Sequence, residues 1–173
     1  MARDKKFREK REKPEYDQNL LDLARVARVV KGGRRFRFRA TLVIGNRKGK
    51  VGVGVAKGTD VSEAINKAFN QAKKKLLNVQ LKGQTIKHEI KVKYGSARII
   101  LKPAVPGKGI IAGGAVRAVV DLAGIKDVVS KSLGSSNKLA VARATIEALR
   151  QLNFSHSRKA RMENGKPENN LKK

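Results

Sequence analysis

The sequence predicts an α+β fold in two small domains, and three observations carry that prediction. Residues 35–44 alternate with a period of two, the signature of a strand with one face buried. Residues 61–76 and 139–152 repeat their apolar side chains at i, i+3 and i+4, the signature of an amphipathic helix. Between them LKGQTI (81–86) carries no periodicity and reads as a connector.

Taken in order, residues 1–17 are polar and predict a flexible arm. Residues 20–30 (LLDLARVARVV) are β-branched enough for a strand. Lys31-Gly32-Gly33-Arg34 predicts a hairpin turn in which both glycines take positive φ. In the next strand Phe36, Phe38, Ala40, Leu42 and Ile44 share one face, predicted to be core, and Arg35, Arg37, Arg39 and Thr41 share the other. A second turn, residues 45–49, leads to VGVGVAKG (51–58), with Val51, Val53 and Val55 opposite a nearly bare face of Gly52, Gly54 and Ala56. Asp60 and Glu63 have capping-box spacing and open a helix whose stripe runs from Val61 to Leu76. Three antiparallel strands and a helix covering the Phe/Val face make the first domain, residues 18–81, with the arginine face outward.

The second domain, residues 82–153, reads β-β-α-β-α. A hairpin turns at Tyr94-Gly95-Ser96, and VPGKGIIAGG (105–114) is a glycine-rich loop. Residues 115–123 form a helix ended by Gly124, and residues 126–134 a strand. A last helix starts near Ser136 or Asn137 and buries Leu139, Ala142, Ile146, Leu149 and Leu152. Residues 154–173 show no apolar periodicity and predict a disordered basic tail.

Composition narrows the function. The chain has 41 Lys or Arg against 14 Asp or Glu, a formal net charge of +27. That balance points to a polyanionic partner. The bases are spread along the chain rather than gathered in one amphipathic segment, which favours nucleic acid contacted on several sides over a membrane surface. No apolar run approaches the roughly 18 residues of a membrane span, and the N-terminus, mixing acids with bases, lacks the apolar stretch of a signal peptide. There is no cysteine, which excludes disulfides and thiolate zinc sites and suits a reducing, cytoplasmic setting.

Enzyme motifs fail on inspection. Gly109 and Gly114 have the first spacing of a phosphate-binding loop, but Ala115-Val116 stands where Lys-Ser/Thr is required. His88 and His156 fall in no catalytic spacing, and no cofactor or metal is expected. Gly49-Lys-Val-Gly52 has the GxxG spacing of a KH domain but sits between strands. With five Phe, two Tyr and no Trp, the chain is too poor in aromatics for an aromatic platform that stacks single-stranded bases. Arginine and lysine without aromatics suit phosphate and shape contacts to folded RNA. No acid interrupts residues 23–59, so Arg25, Arg28, Lys31, Arg34, Arg35, Arg37, Arg39, Arg47, Lys48, Lys50 and Lys57 are the candidate RNA-binding side chains, with Gly32 and Gly33 at the turn between them.

Four segments resemble one known family: VVKGGRRF (29–36), VGVGVAKG (51–58), GKGIIAGGAVRAV (107–119) and NxxxVARATIEAL (137–149). In this order and spacing, over about residues 18–153, they are similar to the bacterial-type small-subunit ribosomal protein five family. The resemblance implies a first domain like a double-stranded-RNA-binding fold lacking its first helix. It implies a second domain of the family's own type, with a left-handed crossover. It implies a structural constituent of the cytoplasmic small ribosomal subunit that binds small-subunit rRNA, steadies head against body, and contributes to translational accuracy and to the mRNA entry path. The implied partners are small-subunit proteins four and eight, and protein three at the mRNA path. Carried over by position, Val30, Lys31, Gly32, Gly33 and Arg34 match the hairpin that approaches rRNA near the spectinomycin pocket. Gly107, Gly109, Gly113, Gly114 and Arg117 match the region near the contact with protein four. Lys73, Lys74 and Lys75 match a basic segment in character. Two other classes compete, a free RNA-binding regulator or annealing factor and an enzyme. Co-sedimentation with small subunits after a high-salt wash separates the first from a ribosomal constituent, and an NTP-turnover assay addresses the second.

Overall fold

The computed structural model describes residues 15–81 and 83–163. The first half is a four-stranded antiparallel sheet in the order β1 (Asp17–Val30), β2 (Gly33–Gly45), β3 (Lys50–Gly58) and β4 (Leu77–Asn78), with α1 (Val61–Lys73) on one face. Strand β4, a short pairing of Leu77 and Asn78 with Val51 and Lys50, adds a fourth strand to the three predicted. β1 and β2 pair from Asp17↔Gly45 to Val30↔Gly33, leaving Lys31 and Gly32 as the turn. Only Gly33 takes positive φ, at 138°, not both glycines as expected. Leu21 is an extra residue in β1, between the pairs Leu20↔Leu42 and Asp22↔Thr41, and the bulge turns it toward the core of the second half.

The register decides which faces meet. Leu42 lies opposite Gly54, Ile44 opposite Gly52 and Phe38 opposite Gly58, so the apolar face of β2 continues as the bare face of β3. α1 lies on that combined face, not on the β3 valines as the pattern suggested. A Cβ at Gly52, Gly54 or Gly58 would strike the backbone of Ala72, Ala68 or Ala64. These alanines recur every four residues and are fully buried. Small residues on both sides let helix and strand backbones nearly touch.

α1 is capped as predicted at Asp60, whose carboxylate accepts the Ser62 N–H at 3.2 Å. The reciprocal bond differs from a strict capping box. Glu63 accepts the N–H and hydroxyl of Thr59, each at 2.7 Å, one residue before the cap, and pairs with Lys67. The Lys67 ammonium first, then Thr59, holds the Glu63 carboxyl at about 2, below its ordinary 4.5.

The second half adds β5 (Ile90–Tyr94), β6 (Ala97–Pro103), β7 (Ile110–Ile111), α2 (Gly114–Ala123), β8 (Val128–Ser132) and α3 (Lys138–Glu163). Its sheet runs β5-β6-β8-β7, with β7 parallel to β8. The glycine-rich pattern predicts loop where β7 forms. Two β-branched residues form it because Gly109 is fixed on both sides, its carbonyl accepting the Val128 N–H at 3.2 Å and its own N–H bonding the buried Asp127 carboxylate at 2.8 Å. Asn137 accepts the Leu139 N–H at 3.0 Å and starts α3. That helix continues through residues 154–163, where the tail was expected to begin, since neither Pro nor Gly interrupts it before Gly165. The rest of the tail and residues 1–14 of the arm lie outside the described residues.

The two halves share a core. Val43 and Val51, on the face of the first sheet away from α1, are fully buried among Val119, Leu122, Ile125 and Leu149. The face read as outward and cationic is therefore apolar and covered at this end. The seam is also hydrogen-bonded, Arg47 N–H to the Leu122 carbonyl at 3.0 Å and Gly49 N–H to the Ala123 carbonyl at 2.9 Å.

Two stability measurements test this packing. Gly→Ala in a strand normally stabilises by about 0.5–1 kcal/mol. At Gly54 and Gly45 the sign should reverse, with losses of about 1–3 kcal/mol in denaturant titration, because the new methyl meets the Ala68 or Leu122 carbonyl. Gly32→Ala, with nothing within 4 Å, should stay within about ±0.5 kcal/mol. Because the Glu63 carboxyl is lowered on folding, its contribution is present above about pH 4.5 and is lost as pH falls toward about 2. Glu63→Gln should lower the melting temperature at pH 7 and flatten its fall over that acid window.

Candidate nucleic-acid interface

The predicted cations fall into two clusters. Around the hairpin, Arg25, Arg28, Lys31, Arg34, Arg35, Arg37 and Lys57 are all exposed, as are Gly32 and Gly33 at the tip. Arg47, Lys48 and Lys50 are exposed at the other end of β2. Residues 38–46 separate Arg37 from Arg47 along β2 and its turn, and residues 51–56 separate Lys57 from Lys50 along β3, the shorter gap being roughly 20 Å at about 3.3 Å per residue. The fold places a cationic cluster toward each end of the long strand β2.

The register sorts the hairpin cluster by face. Arg28 pairs with Arg35, Val26 with Arg37, and Arg39 with Lys57. These side chains share the face away from α1. Arg28, Arg35, Arg37 and Lys57 line a groove of about 450 Å³ that has no carboxylate among its described lining residues. Arg39 differs from its neighbours. It is half-buried, its guanidinium lies 3.7 Å from Asp22, and its Nε is buried with no protein partner. Asp22 also pairs with Lys138 of α3 at 3.4 Å, so Arg39 belongs partly to the joint between the halves.

Phe36 and Phe38 depart from the core reading. Phe38 is half-buried against the α1 cluster. Phe36 is 46% exposed, and the Arg25 guanidinium lies over its ring, 3.6 Å from the centroid. α1 ends its cover at Gly58, the partner of Phe38, and does not extend over Phe36. Alternation alone cannot show where a covering helix stops.

At the far cluster Arg47 takes φ 54°. Its guanidinium pairs with Asp17 at 3.0 Å and Asp121 at 3.7 Å, across the seam. Asn46 accepts the N–H groups of Lys48 and Lys50 at 2.8 and 3.0 Å and holds both lysines outward.

The predicted protein-contact residues gather at one place. Gly113 and Gly114 open α2, Arg117 follows one turn later, and grooves of about 520 and 410 Å³ flank this helix start. Gly107 stands exposed in the preceding loop, and Gly109 is tied back to Asp127. A Cβ at Gly113 or Gly114 would meet nothing within 4 Å, so neither glycine is explained by packing inside the chain.

A third feature escaped the sequence reading. Lys74, Lys75, Arg143 and Arg150 line a groove of about 660 Å³ between the end of α1 and α3, with Glu147 the one acid among its lining residues. Arg143 and Arg150, seven residues apart, share a helix face. No local pattern tells which element that face opposes.

Comparison with known proteins accounts for both halves. Residues 16–80 match the family model described as ribosomal protein S5, N-terminal domain, and residues 92–161 the one described as ribosomal protein S5, C-terminal domain. Small ribosomal subunit protein uS5 of Campylobacter jejuni, in strains 81-176, 81116 and RM1221, is 54% identical over 144 residues, covering 83% of this chain and 98% of each relative. The chain belongs to the ribosomal protein S5 family. Its α+β architecture of two sheets with packed helices agrees with the family's two-domain organisation, and RNA binding within a ribonucleoprotein is the family's setting.

Proposed function

We propose that this chain is a structural, non-catalytic constituent of the small ribosomal subunit in the cytoplasm, and that it binds small-subunit rRNA through phosphate and shape contacts. The observation that carries this reading is the groove where Arg28, Arg35, Arg37 and Lys57 converge without a carboxylate. Four cations left facing one another in water repel, and an RNA backbone relieves that repulsion while releasing counterions. The glycine tip at Gly32-Gly33 lets the hairpin enter a narrow space. The second cluster, Lys48 and Lys50, engages a separate RNA segment. Two units, residues 18–81 and 82–153, joined through a shared core, suit a protein that steadies head against body and supports accurate decoding. The open start of α2, with Gly113, Gly114 and Arg117, receives small-subunit protein four. Proteins eight and three and the mRNA entry path complete the proposed surroundings.

Two experiments test these contacts. Arg35→Gln with Arg37→Gln removes the two exposed comb arginines. The log–log salt slope of rRNA binding should flatten by about 0.9 per lost phosphate contact, roughly 1.8 in total. Arg39→Gln should change stability more than slope, because Asp22 already offsets its charge. An unchanged slope in the double variant would make the comb a solvated face. For the protein contact, Gly114→Arg places bulk where the chain itself offers no obstacle. Folding should be retained within about ±0.5 kcal/mol, while affinity for protein four falls and misreading frequency in cells changes. Unaltered affinity for protein four would remove the α2 start from the interface.

A further inference from the structure

We propose that Arg25 and Phe36 form a stacking platform for one unpaired nucleobase, on the face of the hairpin opposite its phosphate groove; this rests on RNA being the polyanion. Phe36 pairs with Ala27 and Arg25 with Phe38, so Arg25 and Phe36 are diagonal neighbours on the α1 side of the sheet. Arg28, Arg35 and Arg37 project from the other side. Phe36 stays 46% exposed on a strand that otherwise holds out arginine, so a large part of its ring is left uncovered by the described residues. Single exposed apolar residues are common and need no explanation by themselves. Here the exposed ring carries a guanidinium 3.6 Å from its centroid, and that arginine makes no ion pair among the described residues.

Arg25 is exposed, so the guanidinium above the ring stays accessible from outside the chain. Unpaired RNA bases stack on guanidinium planes and aromatic rings, and the interaction tolerates any base because each has a π face. The stack is also cationic, so it attracts the strand before it orders the base. Arg34, exposed on the same side of the hairpin, can meet the phosphate that flanks a base placed there. The hairpin thereby reads two things at once, backbone on the comb face and one splayed base on the other. A fully paired helix offers no base face to Arg25, so the platform selects a bulge or loop nucleotide.

The test uses the full chain and two blunt RNA duplexes that differ only in a single bulged 2-aminopurine. Wild type should bind the bulged RNA on the order of tenfold more tightly than the paired one, and the 2-aminopurine fluorescence should be quenched on binding. Phe36→Leu keeps an apolar side chain of similar bulk but removes the ring. Arg25→Lys keeps the charge but removes the plane. In both variants the preference should shrink toward one and the quench should be lost, while the salt slope of Arg25→Lys stays at the wild-type value. Equal wild-type binding of the two RNAs, or variants that keep preference and quench, would reduce the pair to an intramolecular cation–π contact. Failure to bind either RNA would overturn the RNA reading and the platform with it.

Discussion

The end of α2 is completed by another part of the chain, and the rest of the architecture follows from that junction. A helix leaves its last carbonyls without intrahelical partners. Here Leu122 and Ala123 receive theirs from Arg47 and Gly49, in the turn between β2 and β3. The approach is so close that a side chain at Gly45 or Gly124 would collide with the opposing backbone. Arg47 bridges outward to Asp17 and Asp121, while Val43 and Val51 seal the interior. The exposed ion pairs contribute little each. The backbone bonds and the shared core fix the angle between the sheets, and with it the direction in which the β1–β2 hairpin projects.

A single strand face therefore serves two opposite purposes. From Gly45 toward Gly33, the side of β2 away from α1 runs Val43, Thr41, Arg39, Arg37, Arg35, while burial falls from complete to none. The gradient has a simple origin. Charge cannot be moved into the seam without a large desolvation penalty, so only the apolar end can dock. The cationic end is left to solvent or to a polyanion. Arg39 sits at the transition, where Asp22 offsets part of its charge and Lys138 ties the same carboxylate to α3.

The glycines divide on the same physical line. Gly45, Gly52, Gly54, Gly58 and Gly124 are places where two backbones of this chain press together. Gly32, Gly113 and Gly114 meet nothing, and none of them has positive φ. What they leave open is space outside the chain, at the hairpin tip and at the start of α2. Those are the two places proposed for RNA and for a neighbouring protein, and the absence of a side chain does for an external surface what Gly54 does for α1.

The sequence by itself determined the longer strands, the helix starts and their caps, because period, turn chemistry and capping residues act over a few neighbouring positions. Asp60, Gly95, Gly124 and Asn137 are read correctly for that reason. It also determined the sign of the partner's charge, since +27 cannot be hidden by any fold. Only the tertiary structure decided which face each pattern would serve. Alternation shows that Phe36, Phe38 and Leu42 share a side; it cannot show that α1 reaches only as far as Phe38, and so Phe36 is exposed. The valines of β3 look like partners for α1 until register sets the glycines beneath the helix instead. Lys74 and Arg143 line one groove although 69 positions separate them. Burial, charge pairing and groove formation depend on contacts between residues distant in the chain, and no local period encodes those.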